Sequence, residues 1–280
     1  MSIVYFSSIL KDKAYDQLLS ILQKELIKWS IGYKFLNNTK DIWCRDFMPV
    51  QVGKDQFVQF YLTKDYYQKK NEYLRTDPAP ICEELGITPI IPEYKGKRLF
   101  LDGGNIIMAH DKAIITERVF DDNKIPNDKL LEILTNALQV ESVIIIPNEP
   151  DDYTGHSDGM VRWLDEKTVL ANDYAKAGSD KRFMEQFYRA LAGAGLDILL
   201  VPYCPVESKA YNQPAIGCYI NFLQVGNKVF LPTFDNKKND EKAIERFGEI
   251  FGSGNVLTIP SLAIAKLGGV LNCLSWEMID

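Results

Sequence analysis

A histidine and an aspartate stand two residues apart in the stretch Tyr153-Thr154-Gly155-His156-Ser157-Asp158-Gly159-Met160-Val161-Arg162-Trp163. The chain has only two histidines, and this one lies between glycines at the start of an apolar run. With residues 160–164 extended, the alternation of side chains turns His156 and Asp158 to one face. An imidazole beside a carboxylate can move protons, although an isolated His-x-Asp is as readily a solvated turn. The position does not stand alone. Asp46, Asp102, Asp158, Asn221 and Cys273 all sit at the mouths of strand-like segments, at steps of 56, 56, 63 and 52 residues. Three acids, an amide and a thiol around one hollow are costly to bury unless something pairs with them. A cation among the acids is therefore expected. A planar guanidinium, with five donors in a rigid fork, suits paired carboxylates. A thiol near a histidine suits attack on the electrophilic carbon of that group. A free thiol titrates near pH ~8.5 and neighbouring carboxylates push it higher. The resting thiol is expected to stay protonated until a cationic substrate cancels the surrounding field.

The elements that must carry these residues repeat as well. Residues 46–52 turn at Gly53-Lys54-Asp55 and return through 57–60. Residues 102–108 turn at His110-Asp111-Lys112 and return through 113–115, and residues 158–163 turn at Asp165-Glu166-Lys167 and return through 168–170. Residues 219–223 turn at Gly226-Asn227-Lys228 and return through 229–231. The turn lysines Lys54, Lys112, Lys167 and Lys228 are 58, 55 and 61 residues apart, a spacing of repeat architectures. Helix-like stretches at 127–138, 179–192 and 239–251 each precede an apolar run, at 143–146, 198–201 and 256–259. At the start of the chain, residues 2–6 read as a strand, 11–28 as an amphipathic helix and 31–36 as a strand. The unit is strand, strand, helix, strand. Five units fit, the last (residues 270–276) closing against the N-terminal elements so that sheet edges are hidden. The expected fold is α/β, a five-bladed propeller, in one domain over residues 1–280. Residues 64–80 read as a long, polar surface loop placed to border a site. Tyr66, Tyr67 and Tyr73 are expected to pack on the surface there, in preference to forming a lid. Arg45 and Arg162 are expected to pair with local acids, in preference to binding a substrate carboxylate, and His110 to be solvated.

Composition limits the partners. An apolar fraction of 46% and a charged fraction of 25% are those of a globular protein able to bury a core. A net charge of -6 speaks against nucleic acid and suits a cationic small molecule. No apolar run approaches the ~20 residues that span a bilayer, and the first residues lack a basic n-region, so a cytoplasmic protein without membrane contact is expected. The five cysteines, Cys44, Cys82, Cys204, Cys218 and Cys273, contain no C-x-x-C pair. Neither a disulfide framework nor a zinc site is expected. The sequence is compatible with a homo-oligomer and does not decide it.

Five segments together resemble a known family. Trp43-Cys44-Arg45-Asp46-Phe47-Met48-Pro49 resembles the W-x-R-D-x-G-P motif of the agmatine deiminase and Porphyromonas-type peptidylarginine deiminase family. Asp102-Gly103-Gly104-Asn105 resembles its E/D-G-G-[SN] segment, and Gly155-His156-Ser157-Asp158 its G-H-x-D. Residues 219–222 resemble its Y-x-N segment, and Gly268-Gly269-Val270-Leu271-Asn272-Cys273 its C-terminal G-G-x-x-x-C. The resemblance implies the guanidine-modifying α/β propeller, or pentein, built from ββαβ repeats. It implies that Cys273 is a nucleophile forming an amidino-thioether, that His156 is general acid and then general base, and that Asp46 and Asp158 clamp the guanidinium. Asp102 stands where the superfamily often has a glutamate that orients the histidine. Asn221 would line the site and Trp43 would cover the substrate, with Gly103, Gly104 and Asn105 counted among the substrate-binding positions. No metal or organic cofactor is implied. The family's W-x-P-x-x-x-x-W start is missing, Met48 replaces a glycine, Asn272 replaces a histidine, and Trp276-Glu277-Met278 is unlike the usual glutamine-rich ending.

The expected activity is hydrolysis of a guanidinium carbon–nitrogen bond, with agmatine giving N-carbamoylputrescine and ammonia as the first choice. An arginine derivative or C-terminal peptidyl arginine is the second, and an amidinotransferase would share the covalent intermediate. A non-catalytic propeller that binds guanidines is the rival from another class. A Cys-His-Asn thiol hydrolase is a third reading, one with little need of three acids.

Overall fold

The computed structural model describes residues 2–67, 69–150, 152–206 and 214–279. Its strands form small sheets of one design, an antiparallel hairpin whose second strand pairs in parallel with a third. Ile107–Ala109 pairs with Lys112–Thr116, which pairs with Ser142–Ile146. Val161–Trp163, Thr168–Asn172 and Asp197–Val201 repeat the pattern, as do Leu223–Val225, Lys228–Thr233 and Val256–Pro260. The hairpin Val50–Gly53 and Gln56–Val58 takes only a parallel bridge, from Val58 to Ile90. The first sheet draws on both ends of the chain: Ser275–Ile279 runs antiparallel to Ser2–Ser7, which runs parallel to Gly32–Leu36. The two-residue strands Glu93–Tyr94 and Lys97–Arg98 form a further small hairpin. The sheets are separate, and among the described residues no single sheet closes on itself.

Each parallel pairing demands a crossover, which a helix provides. The crossover helices are Asp16–Lys28, Ala79–Leu85, Asn127–Leu138, Lys181–Gly193 and Lys237–Phe251. In Lys181–Gly193 the buried residues Phe183, Phe187 and Leu191 recur every fourth position, one apolar stripe of a helix. Burial of each such side chain stabilises by roughly 1.5–3 kcal/mol. Asp180 caps this helix, its carboxylate accepting from the Phe183 amide at 2.8 Å. The stripe touches the third strand of its own sheet and that of the preceding one, Asp197–Val201 and Ser142–Ile146. Lys237–Phe251 and Asp16–Lys28 sit across neighbouring sheets in the same way. Helices thus join sheets that share no hydrogen bonds.

Several sequence expectations need correction. The polar positions do not lie on strands. Asp46 belongs to the helical turn Cys44–Phe47, Asp158 to the 3-10 turn Ser157–Gly159 and Cys273 to the helical turn Leu271–Leu274, while Asp102 immediately precedes the 3-10 turn Gly103–Asn105. Strands begin only afterwards, at Ser275 and Leu223 in the segments read as starting at 270 and 219. Strand alternation therefore does not account for the meeting of His156 and Asp158. The helix expected from residue 11 starts at Asp16, after two 3-10 turns. The stretch read as a surface loop buries Tyr66 and Tyr67, contains the 3-10 segment Lys69–Leu74 and leads into Ala79–Leu85. Tyr73 is 70% exposed, as expected of surface packing.

Candidate functional site

The short turns pack against one another. Cys44–Phe47 touches Leu271–Leu274 and Gly103–Asn105, and Gly103–Asn105 touches Ser157–Gly159. Two glycines permit this approach. A Cβ on Gly104 would lie 2.6 Å from both Asp46 Oδ1 and His156 Nδ1, and one on Gly269 would lie 2.7 Å from the Trp43 ring. Asp46 Oδ1 accepts from the Gly104 amide at 2.9 Å and Oδ2 from the Tyr66 hydroxyl at 2.5 Å. Asp102 accepts from the Thr63 amide at 2.8 Å and the Thr63 hydroxyl at 3.0 Å. His156 is held between these acids, with Nδ1 3.7 Å from Asp46 Oδ1 and Nε2 3.2 Å from Asp102 Oδ2. The one-methylene-shorter Asp102 therefore does reach the imidazole.

Cys273 has a second set of partners. Its Sγ lies 3.4 Å from Asp158 Oδ2 and 3.3 Å from Asn221 Oδ1, both acceptors for a thiol hydrogen. Asn221 Oδ1 also accepts from the Cys273 amide at 3.4 Å. Asp158 Oδ2 accepts from Asn272 Nδ2 at 2.7 Å, and Asn272 Oδ1 in turn accepts from Arg162 Nη1 at 2.8 Å.

Trp43, Asp46, His156, Asp158, Asn221 and Cys273 all line one cavity of about 740 Å³. Gly103, Gly104 and Asn105 are not on its wall; the Asn105 amide oxygen accepts from the Thr116 amide at 2.9 Å and so holds a strand. Asp102 lies behind the histidine and does not line the cavity. Glu149, Asp152 and Asp180 line its outer part, and no lysine or arginine among the described residues does. The described residues contain no group of His, Cys, Asp and Glu arranged to hold a metal ion, and no helix long and apolar enough to cross a membrane.

The family model of the Porphyromonas-type peptidyl-arginine deiminases matches residues 9–278. The chain belongs to that family. It is 26% identical over 218 residues to an agmatine deiminase of Pseudomonas aeruginosa, an alignment that covers 66% of this chain and 58% of that protein. Aligned residues thus span little more than half of that relative. A solved agmatine deiminase of C. jejuni superposes with a TM-score of 0.74 at 16% identity, covering 99% of this chain and 93% of its own. An agmatine deiminase of Enterococcus faecalis superposes with a TM-score of 0.68 at 14% identity, covering 98% and 92%.

In this Porphyromonas-type deiminase family member, burial dominates the electrostatics of the cavity. It pushes the Asp46 carboxyl up, helped by Asp158 and Asp102 and opposed by His156 and the Tyr66 hydroxyl. For His156 burial acts against the charge, yet Asp46, Asp102 and Asp158 outweigh it and hold the imidazolium well above the ordinary histidine range. Burial, then Asp158 and Asp46, drives the Cys273 thiol upward, the direction expected from its acidic surroundings. Glu149 is pushed up to about 7 by burial, although the Tyr203 and Tyr174 hydroxyls both donate to it. Sequence reasoning missed Thr63, Glu149, the burial of Tyr66 against Asp46 and the part played by Asn272. Tyr66 and Thr63 lie in an aperiodic stretch, so no pattern marked them. Asn272 was visible only as a departure from the family motif.

Proposed function

We propose that this protein is a guanidine deiminase, a hydrolase of non-peptide carbon–nitrogen bonds, and that its preferred substrate is agmatine. The observation that carries this reading is a thiol hydrogen-bonded to a carboxylate in a cavity whose described lining contains acids and no fixed cation. A guanidinium between Asp46 and Asp158 would satisfy both acids by paired hydrogen bonds. Its charge would lower the Cys273 thiol pKa at the moment of binding, so that nucleophile and substrate appear together.

Cys273 Sγ then adds to the guanidinium carbon, and the thiol proton passes to the substrate's amino nitrogens. His156, held as imidazolium by Asp46 and Asp102, donates a proton to the departing nitrogen as the carbon–nitrogen bond breaks. With both protons the nitrogen leaves as ammonium, and a cationic amidino-thioether remains. Neutral His156 next takes a proton from water, hydroxide adds to the same carbon, and the carbon–sulfur bond breaks as the proton of the added hydroxyl passes to the sulfur, which restores both thiol and imidazolium. The sum is one guanidinium and one water giving one ureido product and ammonium. Asn221 and Asn272 position Cys273 and Asp158, and Trp43 bounds the cavity.

The outer acids bear on substrate choice. Glu149, Asp152 and Asp180 favour a substrate whose far end is an ammonium, as in agmatine, over one that ends in a carboxylate. The repeated sheets, linked by helices and meeting through polar turns, are read as five blades of one propeller domain around this cavity.

An assay of ammonia and ureido product over agmatine, arginine and short arginyl peptides tests the reading, with Cys273→Ser as control. Agmatine turnover in the absence of an amine acceptor is expected, which also separates hydrolysis from amidino transfer. Absence of turnover across the whole panel would sink it in favour of a binding module.

A further inference from the structure

A second cavity, of about 470 Å³, is bounded by Arg45, Arg162, Trp163, Asn272, Trp276 and Glu277 among others. It lies on the other side of the same short turns: Asp46 and Cys273 face the acidic cavity, while their chain neighbours Arg45 and Asn272 face this one. Arg162 donates from Nη1 to the Phe222 carbonyl at 3.0 Å and to Asn272 Oδ1 at 2.8 Å, and its guanidinium stacks 4.7 Å from the Phe222 ring centre. Both hydrogen-bond acceptors are neutral. Arg45 Nε is buried with no hydrogen-bond partner. Among the described residues, neither arginine has a carboxylate within the 4.0 Å of an ion pair. The expected pairing with local acids thus takes the form of a longer-range attraction to Glu277 and not of a close ion pair.

The acids of the wall offset the two cations only in part. Asp165 is exposed at the rim and its carboxylate accepts from the Lys167 and Thr168 amides. Glu277 is the interior carboxylate, and burial pushes its pKa up against the pull of Arg45 and Arg162. Burial, then the like charge of Arg45, lowers Arg162 to about 10 against the pull of Asp158 and Glu277. His110, the remaining titratable group of the wall, is exposed and lies 3.7 Å from Glu166.

We propose that this second cavity binds a small oxyanion, gripped by the guanidinium groups of Arg45 and Arg162. Guanidinium forks match the oxygens of a carboxylate or phosphate in bidentate fashion, and a buried Nε without a partner is a donor that such an oxygen satisfies. The site is independent of the deiminase chemistry. It nevertheless touches it, because Arg162, Asn272 and Asp158 form one hydrogen-bonded line into the acidic cavity.

Thermal unfolding of the whole protein in sodium phosphate and in sodium acetate, each against sodium chloride at equal ionic strength, tests the proposal. A saturable rise in Tm of roughly 2–6 °C is expected well above the dissociation constant. The anion with the lower midpoint concentration identifies a tetrahedral or a planar ligand. Arg45→Met is expected to abolish the rise, and Lys181→Met, at an exposed lysine, to leave it intact. Glu277→Gln removes the competing carboxylate and is expected to lower the midpoint concentration several-fold. A rise that persists in Arg45→Met, or that never saturates with either anion, overturns the proposal. If Arg45→Met does not fold, Glu277→Gln decides alone: an unchanged or higher midpoint overturns it.

Discussion

Arg45 and Asp46 are adjacent in a single helical turn, yet they line cavities of opposite charge. Consecutive residues of a helical turn point about 100° apart, so one short element can serve two surfaces. The two cavities treat their charges differently. In and behind the acidic one each carboxylate around His156 and Cys273 has donors at hand: Gly104 and Tyr66 for Asp46, Thr63 for Asp102, Asn272 for Asp158. Two of these donors are backbone amides, which hold the carboxylates in place before any ligand arrives. In the basic cavity Arg162 meets only neutral acceptors, and Arg45 Nε meets none. Asn272 spans the pair, its amide nitrogen directed to Asp158 and its oxygen to Arg162. A donor on every carboxylate on one side and an unmet donor on the other argue that the acidic cavity is preorganised for chemistry and the basic one for capture.

That contrast breaks if the two cavities respond together. The largest effect is expected for Cys273→Ser, which should lower kcat for deimination by roughly 10⁴-fold or more while leaving the oxyanion-dependent rise in Tm unchanged. Loss of both would show that the cavities are one functional unit. Asp158→Asn should follow, with kcat/KM down by about 10²- to 10³-fold, because a neutral amide holds the guanidinium and the thiol poorly. Asn272→Ala removes one hydrogen bond to a charged carboxylate, a loss of about 1.5–3 kcal/mol and hence ~10- to 100-fold in kcat/KM. A loss as large as that of Asp158→Asn would make Asn272 a substrate contact and not a positioning residue.

How much of this could be read in the amino-acid order depends on the length of each element. The helix at 127–138 coincides with Asn127–Leu138 because twelve residues complete three turns of apolar periodicity. The hairpins are marked by Gly, Asn and Asp at their turns. Cys44–Phe47 and Leu271–Leu274 span four residues each, too few to show a period, and so read in the sequence as strand ends. Asp46, Asp158, Asn221, His156 and Cys273 could be singled out because the chain repeats them at near-equal steps. Tyr66 and Thr63 are fixed by tertiary contacts to Asp46 and Asp102, 20 and 39 residues away, and no local pattern encodes that. The same holds for Arg162 and Asn272, which meet across 110 residues.

The thiol sharpens the contrast further. Burial, Asp158 and Asp46 hold Cys273 protonated, so alkylation by iodoacetamide at neutral pH should be slow in the free protein. A small guanidinium that leaves the sulfur accessible should accelerate it by ~10-fold or more, while phosphate should not. Fast alkylation without a ligand would remove the coupling between substrate charge and nucleophile.

The smallest effect concerns the outer wall of the acidic cavity, and its sign differs from the usual carboxylate case. Glu149 is pushed from 4.5 to about 7 by burial, so the folded state favours its protonated form. A carboxyl with a raised folded pKa contributes stability that is fully present below the unfolded value. That contribution is lost as pH rises through the folded one. Unfolding free energy should therefore fall between pH ~4.5 and ~7 by an amount of order 1–3 kcal/mol from this group. Glu149→Gln, measured by urea unfolding across that window, should flatten the slope by the same amount. Asp46 shifts in the same direction and the raised His156 carries the fall on to higher pH, so the difference between the two proteins is the quantity to compare. An identical slope would mean that Glu149 is ionised in the folded protein at pH 5, held so by Tyr203 and Tyr174. A standing negative charge there would give the outer wall its pull on an ammonium tail at every pH of the assay, whereas a pKa near 7 makes that pull strengthen as the solution turns alkaline.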